Sequence, residues 1–513
     1  MFGKVSSAIL HGIESTIISV ETDINSGMPS FDMVGFLSSE VKEAKERVRS
    51  ALTNSGFDLP VQRITVNLSP ADIRKSGNAY DLPIAVSILC ASGEIHCSND
   101  TMIIGELSLD GHVRGVNGVL PMVLAAKEHA LTTIILPAEN FIEASLVPGI
   151  KIIPVSELTD AINFLKEGRI PEYHCANKLI PGNSTSSSET PDFADIRGQK
   201  MVKRACEVAI SGMHNILMIG PPGAGKTLTA KCIPSILPPM TTEEQLEISK
   251  IYSVSGMFAE RESLLNTRPF RSPHHTITEA GLAGGGNVIR PGEISLAHNG
   301  VLFLDELPEF SPATLEVLRQ PLEEKQIRII RANGEVTFPA KFVLVCAMNP
   351  CKCGYFPDMS RCRCTRSQIL KYLSRISQPL IDRIDITVEA KPLSFTQLGS
   401  EEKEECSENI RKRIIRCHEI ERSRYQNEPF SYNSEIPPGK IAKYCHLEEK
   451  DISFMEDIFK AMNLTARTYH KILRVARTIA DLDSSEQIKT RHLQEAICYR
   501  TCDRKYWENT LSA

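Results

Sequence analysis

The stretch Gly220-Pro-Pro-Gly-Ala-Gly-Lys-Thr227 decides how this 513-residue chain is read. It fits G-x-x-x-x-G-K-[ST] through Gly220, Gly225, Lys226 and Thr227. The apolar run from Asn215 to Gly220 reads as a buried strand, and Leu228 to Ile233 reads as the start of a helix. Strand, glycine-rich loop and helix N-terminus, in that order, make a phosphate cradle. The glycines let backbone N–H groups turn inward, and the helix dipole adds positive potential. The candidate nucleotide-binding residues are therefore Gly220, Pro221, Pro222, Gly223, Ala224, Gly225, Lys226, Thr227 and Leu228. Lys226 is expected to reach the β- and γ-phosphates of ATP, and the Thr227 hydroxyl to hold Mg²⁺. Such a loop begins many unrelated machines, so the rest of the chain has to say what it serves.

The length calls for more than one core, two to four domains in all. Hydrophobic residues make up 42% and charged residues 24%, as in ordinary globular proteins. No apolar run reaches a membrane span, and the N-terminal Met-Phe-Gly-Lys is too polar to open a signal peptide. A cytoplasmic protein with no membrane partner is expected. Its 15 cysteines are then reduced thiols, with any cluster suspected of holding a metal. The formal net charge is −5, so nucleic acid would have to be met by a local basic strip.

Three parts emerge. Residues 1–171 alternate strand-like and helix-like apolar runs, an α/β pattern. Residues 172–192, with Asn183 to Thr190 devoid of apolar side chains, read as a linker. Residues 193–391 carry the phosphate loop in a second α/β domain. Residues 392–513 are charged and helix-patterned, with an amphipathic segment Ile472 to Leu482.

The second domain offers more than the loop. Val301-Leu-Phe-Leu-Asp-Glu306 reads as a buried strand ending in two acids. Asp305 would hold Mg²⁺ and Glu306 would polarise an attacking water; two solvated acids are the plain alternative. Phe342 to Met348 is another buried strand ending in Asn349-Pro350. A polar residue at that tip can hydrogen-bond a γ-phosphate or the water, or it can simply cap the turn. Arg383, in Pro379-Leu-Ile-Asp-Arg-Ile-Asp385, precedes a strand at 384–388; its alternatives are a salt bridge to Asp382 or Asp385, and Arg375 competes for its role. Arg467 opens the amphipathic helix; Arg474 and Arg477, roughly cofacial with it, are weaker candidates for the same role and read rather as surface charges. Cys351, Cys353, Cys362 and Cys364 form C-x-C-x8-C-x-C, enough ligands for structural Zn²⁺. Incidental or reactive thiols are the alternative.

Taken together, Arg268 to Thr276 (RPFRSPHHT), the glycines 284–286, PGEISLAHNGVLFLDE at 291–306, NPCKCGY at 349–355, PLIDRID at 379–385 and ARTYHKILRVARTIADL at 466–482 resemble the Mg-chelatase-like AAA+ family of ComM and YifB. The resemblance implies an AAA+ P-loop ATPase core with a helical lid, preceded by a Lon-protease-like α/β domain. It implies a sensor-1 role for Asn349, an arginine finger in Arg383, a sensor-2 role for Arg467, and an adenine-pocket lining by Asp195 to Gln199. ComM-type members are hexameric DNA helicases of branch migration in natural transformation, so single-stranded or branched DNA and a hexameric homo-oligomer are the implied partners. The competing expectation is the ATPase subunit of a chelatase-like machine without DNA activity. A hairpin at Ile327 to Phe338, turning at Asn333-Gly334, would bring Arg328 and Arg331 to DNA or be an ordinary surface hairpin. Arg268, Arg271, His274 and His275 form a second basic candidate, or a structural insertion. Aligned with Lon, the nucleophile and base positions hold Ala79 and Leu120, neither of which can act. Ser76 and Lys75 are mere sequence neighbours. A third possibility, an ATP-dependent protease, is therefore disfavoured.

Overall fold

The computed structural model describes residues 1–171, 191–258, 265–286, 289–331, 334–392 and 404–508. Most of the expected linker and residues 332–333 of the hairpin lie outside these ranges.

The first unit is a seven-stranded mixed sheet. Its strands are β1 (Phe2–His11), β2 (Glu14–Asn25), β3 (Ser30–Val34), β4 (Arg63–Ser69), β5 (Thr101–Ile103), β6 (Thr133–Pro137) and β7 (Lys151–Val155), with helices α1 (Ser39–Asn54), α2 (Asp81–Ser92) and α3 (Val119–Glu128). The spatial order is β3-β4-β2-β1-β5-β6-β7. β1 and β2 form a long antiparallel hairpin turning at Gly12, whose φ of +66° suits glycine. β5, β6 and β7 run parallel. α2 is apolar nearly all round and buried nearly all round, the mark of a helix enclosed by its domain.

The second unit comprises α4 (Lys200–Gly212), β8 (Ile216–Ile219), α5 (Lys226–Ile236), α6 (Thr242–Ser255), β9 (Phe270–Arg271), β10 (Val301–Leu304), α7 (Arg319–Glu324), β11 (Gln326–Arg331), β12 (Gly334–Pro339), β13 (Val343–Met348), α8 (Gln378–Ile381) and β14 (Ile386–Glu389). Five strands form an all-parallel sheet in the order β9-β10-β13-β8-β14. β8, β10 and β13 are buried throughout, as parallel strands covered on both faces must be. Alternation sorts their side chains. Ile216, Met218, Val301, Phe303, Val343 and Val345 enter one core. Leu217, Ile219, Leu302, Leu304, Leu344 and Cys346 enter another on the opposite face.

The first of these cores continues into the C-terminal helices α9 (Ser407–Arg424), α10 (Ala466–Leu482) and α11 (Thr490–Cys498). α10 buries Ile472, Leu473, Val475, Ala476, Ile479 and Ala480 there. The second face carries the β11–β12 hairpin and the four clustered cysteines.

The hairpin pairs Arg331 with Gly334, and Asn333 of the expected Asn333-Gly334 turn lies outside the described residues. The strand after Arg383 begins at Ile386, two residues later than expected. Ile384 and Asp385 instead leave the sheet to meet the C-terminal helices. Among the described residues no helix is long and apolar enough to cross a membrane.

Candidate active site

The site lies outside the carboxyl ends of β8, β10 and β13, where open parallel sheets bind ligands. Gly220 follows β8, and a Cβ there would lie 2.2 Å from the Ala390 carbonyl oxygen, so only glycine fits. Gly223 and Gly225 have φ of +76° and +83°. A Cβ on either would meet nothing within 4 Å. Backbone donors of this loop at the N-terminus of α5 form a cradle that fits the phosphates of a nucleoside triphosphate.

Lys226 crosses this cradle. Its Nζ donates to the carbonyls of Gly220 at 2.7 Å and Pro221 at 2.9 Å, and to Asn349 Oδ1 at 3.1 Å. The loop and the tip of β13 are therefore joined by the lysine itself. Burial pulls Lys226 below its ordinary pKa, while the charges of Asp305 and Glu306 work against that. Thr227 Oγ1 donates to Asp305 Oδ2 at 2.6 Å. These two oxygens, from α5 and the end of β10, suit a hard oxygen-seeking cation such as Mg²⁺. Glu306 is more than half-exposed and holds a left-handed φ of +51°. Its carboxylate lies 3.8 Å from His275 Nδ1. Gln199, in the segment expected at the adenine, donates to the carbonyls of Ala224 at 3.0 Å and Lys391 at 2.6 Å.

Arg383 and Arg467 are brought together, but at Glu323 of α7 rather than at Lys226. Glu323 Oε1 takes Arg383 Nη2 at 2.6 Å and Arg467 Nη2 at 3.0 Å. Arg383 also donates to the carbonyls of Pro379 and Arg319. Neither Asp382 nor Asp385 is its partner. Two buried cations fix this segment to the C-terminal helices: Lys471 of α10 and Arg500 both donate to the Ile384 carbonyl, at 2.8 and 2.7 Å. Burial pushes Lys471 down to about 7. Burial raises Asp385, but the His214 ring 3.6 Å away and the charge of Lys471 outweigh it and hold the carboxyl well below its ordinary range. Arg375 pairs with Glu309 at 3.1 Å and the Pro308 carbonyl at 2.9 Å.

Two expectations are corrected. Arg477 is not a surface charge: it is buried and pairs with Asp481 at 2.9 Å, and Arg474 is half-buried. Arg268 and Arg271 do not offer free guanidinium groups to DNA. Arg268 is 5% exposed and spent on Glu244 and the Asn299 and Pro238 carbonyls, and Arg271 grips Glu293 through two bonds of 2.6 and 2.7 Å. Of that basic segment, His275 instead faces the site. Glu323 and His275 were missed as site residues, because their roles depend on partners distant in sequence.

Ala79 and Leu120 are both buried in one apolar cluster, and Leu246 of α6 packs against it. The Leu120 N–H donates to Glu143 at 3.0 Å and Ser253 Oγ at 3.3 Å. Lys75 is buried and donates to the Pro70 carbonyl, whereas Ser76 is exposed.

Models of the magnesium chelatase subunit ChlI match residues 192–398, with separate ChlI models at 20–140 and, for its C-terminal part, 404–500. The chain is 41% identical over 510 residues to the uncharacterized protein YifB of Salmonella typhimurium, covering 98% of each. It is 40% identical over 501 residues to the competence protein ComM of Haemophilus influenzae, covering 96% of each. The chain belongs to the Mg-chelatase-like AAA+ family of YifB and ComM. A more distant likeness, 24% over 225 residues, joins 41% of the chain to a quarter of the Drosophila melanogaster DNA replication licensing factor Mcm6. Membership in the YifB and ComM family makes the chain an AAA+ ATPase, with ATP and Mg²⁺ as its cofactors.

Proposed function

We propose that the chain is a ring-forming AAA+ motor, six subunits to a ring, that uses ATP hydrolysis to move DNA, as a branch-migration helicase in recombination or natural transformation. The observation that carries it is the split of the site into two groups. Lys226, Thr227, Asp305 and Asn349 meet in one place, while Arg383 and Arg467 meet at Glu323. Two always-charged forks held apart from their own loop suit a neighbour's γ-phosphate, so each active site would be shared between subunits.

Within a subunit, Lys226 would hold the β- and γ-phosphates and the loop N–H groups would bind their oxygens. Thr227 and Asp305 would hold Mg²⁺, which when bound draws charge from the phosphate oxygens. Glu306 would take a proton from the attacking water, with His275 steering its carboxylate. Asn349 would orient that water from the strand tip. The β11–β12 hairpin is the candidate DNA contact, with Arg328 and Arg331 exposed and Ile330 74% exposed beside them. The names of the ComM and Mcm6 relatives support this direction. The first domain reads as a non-proteolytic scaffold, because Ala79 and Leu120 offer neither nucleophile nor base.

A chelatase-like ATPase subunit without DNA activity is the second reading, favoured by the ChlI models along the chain. ATP turnover with and without forked DNA separates the two. DNA-stimulated turnover supports the motor, and absent binding and stimulation support the second reading.

A further inference from the structure

We propose that Cys351, Cys353, Cys362 and Cys364 bind one structural zinc ion, and that this ion fixes the seat shared by Asn349 and the phosphate loop. The four sulfurs lie within 4.8 Å of one another. Cys351 and Cys353 are 3.4 Å apart, Cys353 and Cys362 3.5 Å, and Cys351 and Cys362 3.8 Å. A tetrahedral site with Zn–S bonds of about 2.3 Å has sulfurs roughly 3.8 Å apart, whereas a disulfide needs about 2.05 Å. The thiols are therefore at the spacing of co-ligands, and all four are unpaired cysteines.

The backbone is shaped around them. The Phe356 N–H points at Cys351 Sγ at 3.4 Å, and Gly354 N–H returns to the Cys351 carbonyl at 3.0 Å. Asp358 orders the eight-residue spacer, taking the Ser360 N–H at 3.0 Å on its carboxylate and the Cys362 N–H at 2.8 Å on its carbonyl. On binding, Zn²⁺ replaces the thiol protons, which pass to solvent, so four thiolates leave the centre at net −2. Lys352, Arg361 and Arg363 on the same loop offset that charge, and Arg361 is kept close by stacking on Tyr355 at 4.1 Å. Cys351 and Cys362 are buried in the same core as Met348 and Tyr372.

The cluster touches the nucleotide loop at two points. Cys351 stands two residues after Asn349, which accepts from Lys226. Gly354, at φ +86°, packs so tightly on the loop that a Cβ would lie 2.4 Å from Pro222 Cδ. A centre that rigidifies residues 351–364 would hold both contacts. This second half rests on the nucleotide-site reading; the metal site does not.

The test uses the full chain, purified from zinc-supplemented cells. Elemental analysis is expected to give one zinc per chain, and much less in the double variant C362S/C364S. Zinc released from the wild-type chain by a thiol-blocking mercurial, counted with a colorimetric chelator, gives the same number without relying on a variant that folds. Folded protein with well under one zinc overturns the site. Binding of a fluorescent ATP analogue is then compared in native, zinc-stripped and zinc-refilled chain. Stripping is expected to weaken it about tenfold or more, the worth of one hydrogen bond to a charged group, and refilling to restore it. Stripped chain that binds as tightly as native overturns the coupling. Full zinc with no nucleotide binding in any form supports the metal site and overturns the nucleotide reading instead.

Discussion

At the scale of single residues, Lys226 and Glu306 make the sharpest expectations. Lys226→Ala removes the cation that bridges the loop and Asn349, so both nucleotide affinity and turnover should fall. Glu306→Gln keeps the shape and loses the base, so turnover should drop about 100-fold or more while nucleotide binding stays. Steady-state ATPase rates and analogue titration separate the two. Glu323 is a less obvious residue. It is half-exposed, so Glu323→Gln should change stability by less than about 1 kcal/mol. It should nonetheless lower turnover several-fold, because Arg383 and Arg467 lose the group that aligns them. Unchanged turnover would leave the ion pair a surface ornament. Nothing local marks Glu323, since its partners stand 60 and 144 residues away and only the fold joins them. Arg268 misled for the same reason. A basic, proline-broken segment looks like a nucleic-acid contact until Glu244 and Asn299 are seen to absorb its donors.

At the scale of elements, the parallel strands were the most legible. β8, β10 and β13 are unbroken apolar runs ending in functional residues, a pattern set by burial on both faces. The start of β14 was less so: Ile384 and Asp385 look like strand, but Lys471, Arg500 and His214 draw them toward the C-terminal helices. α9 carries a testable pH response. Burial pushes His418 down to about 4, against the support of the Ile210 carbonyl at 3.1 Å. The unfolded chain therefore binds a proton that the folded chain refuses between about pH 6.5 and 4. Stability should be full above that window and fall as pH drops through it. Denaturant midpoints measured across the window should show the slope, and His418→Gln should flatten it. An equal slope in the variant would place the acid sensitivity elsewhere. On the hairpin, Arg331→Ala should weaken DNA binding and reduce its salt dependence without altering DNA-free turnover. Fluorescence anisotropy at several salt concentrations reads both.

At the scale of the whole molecule, the phosphate loop announced the ATPase from a handful of residues. The way its parts divide required the fold. The hydrogen bond from the Leu120 N–H of the first domain to Ser253 of α6 carried no sequence signal. That contact, and the approach of the Gly12 turn to Val336 and Thr337 of the hairpin, tie the first domain to the ATPase unit at two places. If the active site is shared, Lys226→Ala and Arg383→Ala chains, each inactive alone, should recover part of the turnover when mixed. Only a mixed ring pairs an intact loop with an intact arginine. The central claim, an ATP-driven motor on DNA, is tested most directly by the ATP turnover of the purified wild-type chain with and without forked DNA. The account predicts tight DNA binding and a clear rise in turnover. Turnover that forked DNA leaves unchanged, with no DNA bound, would contradict it.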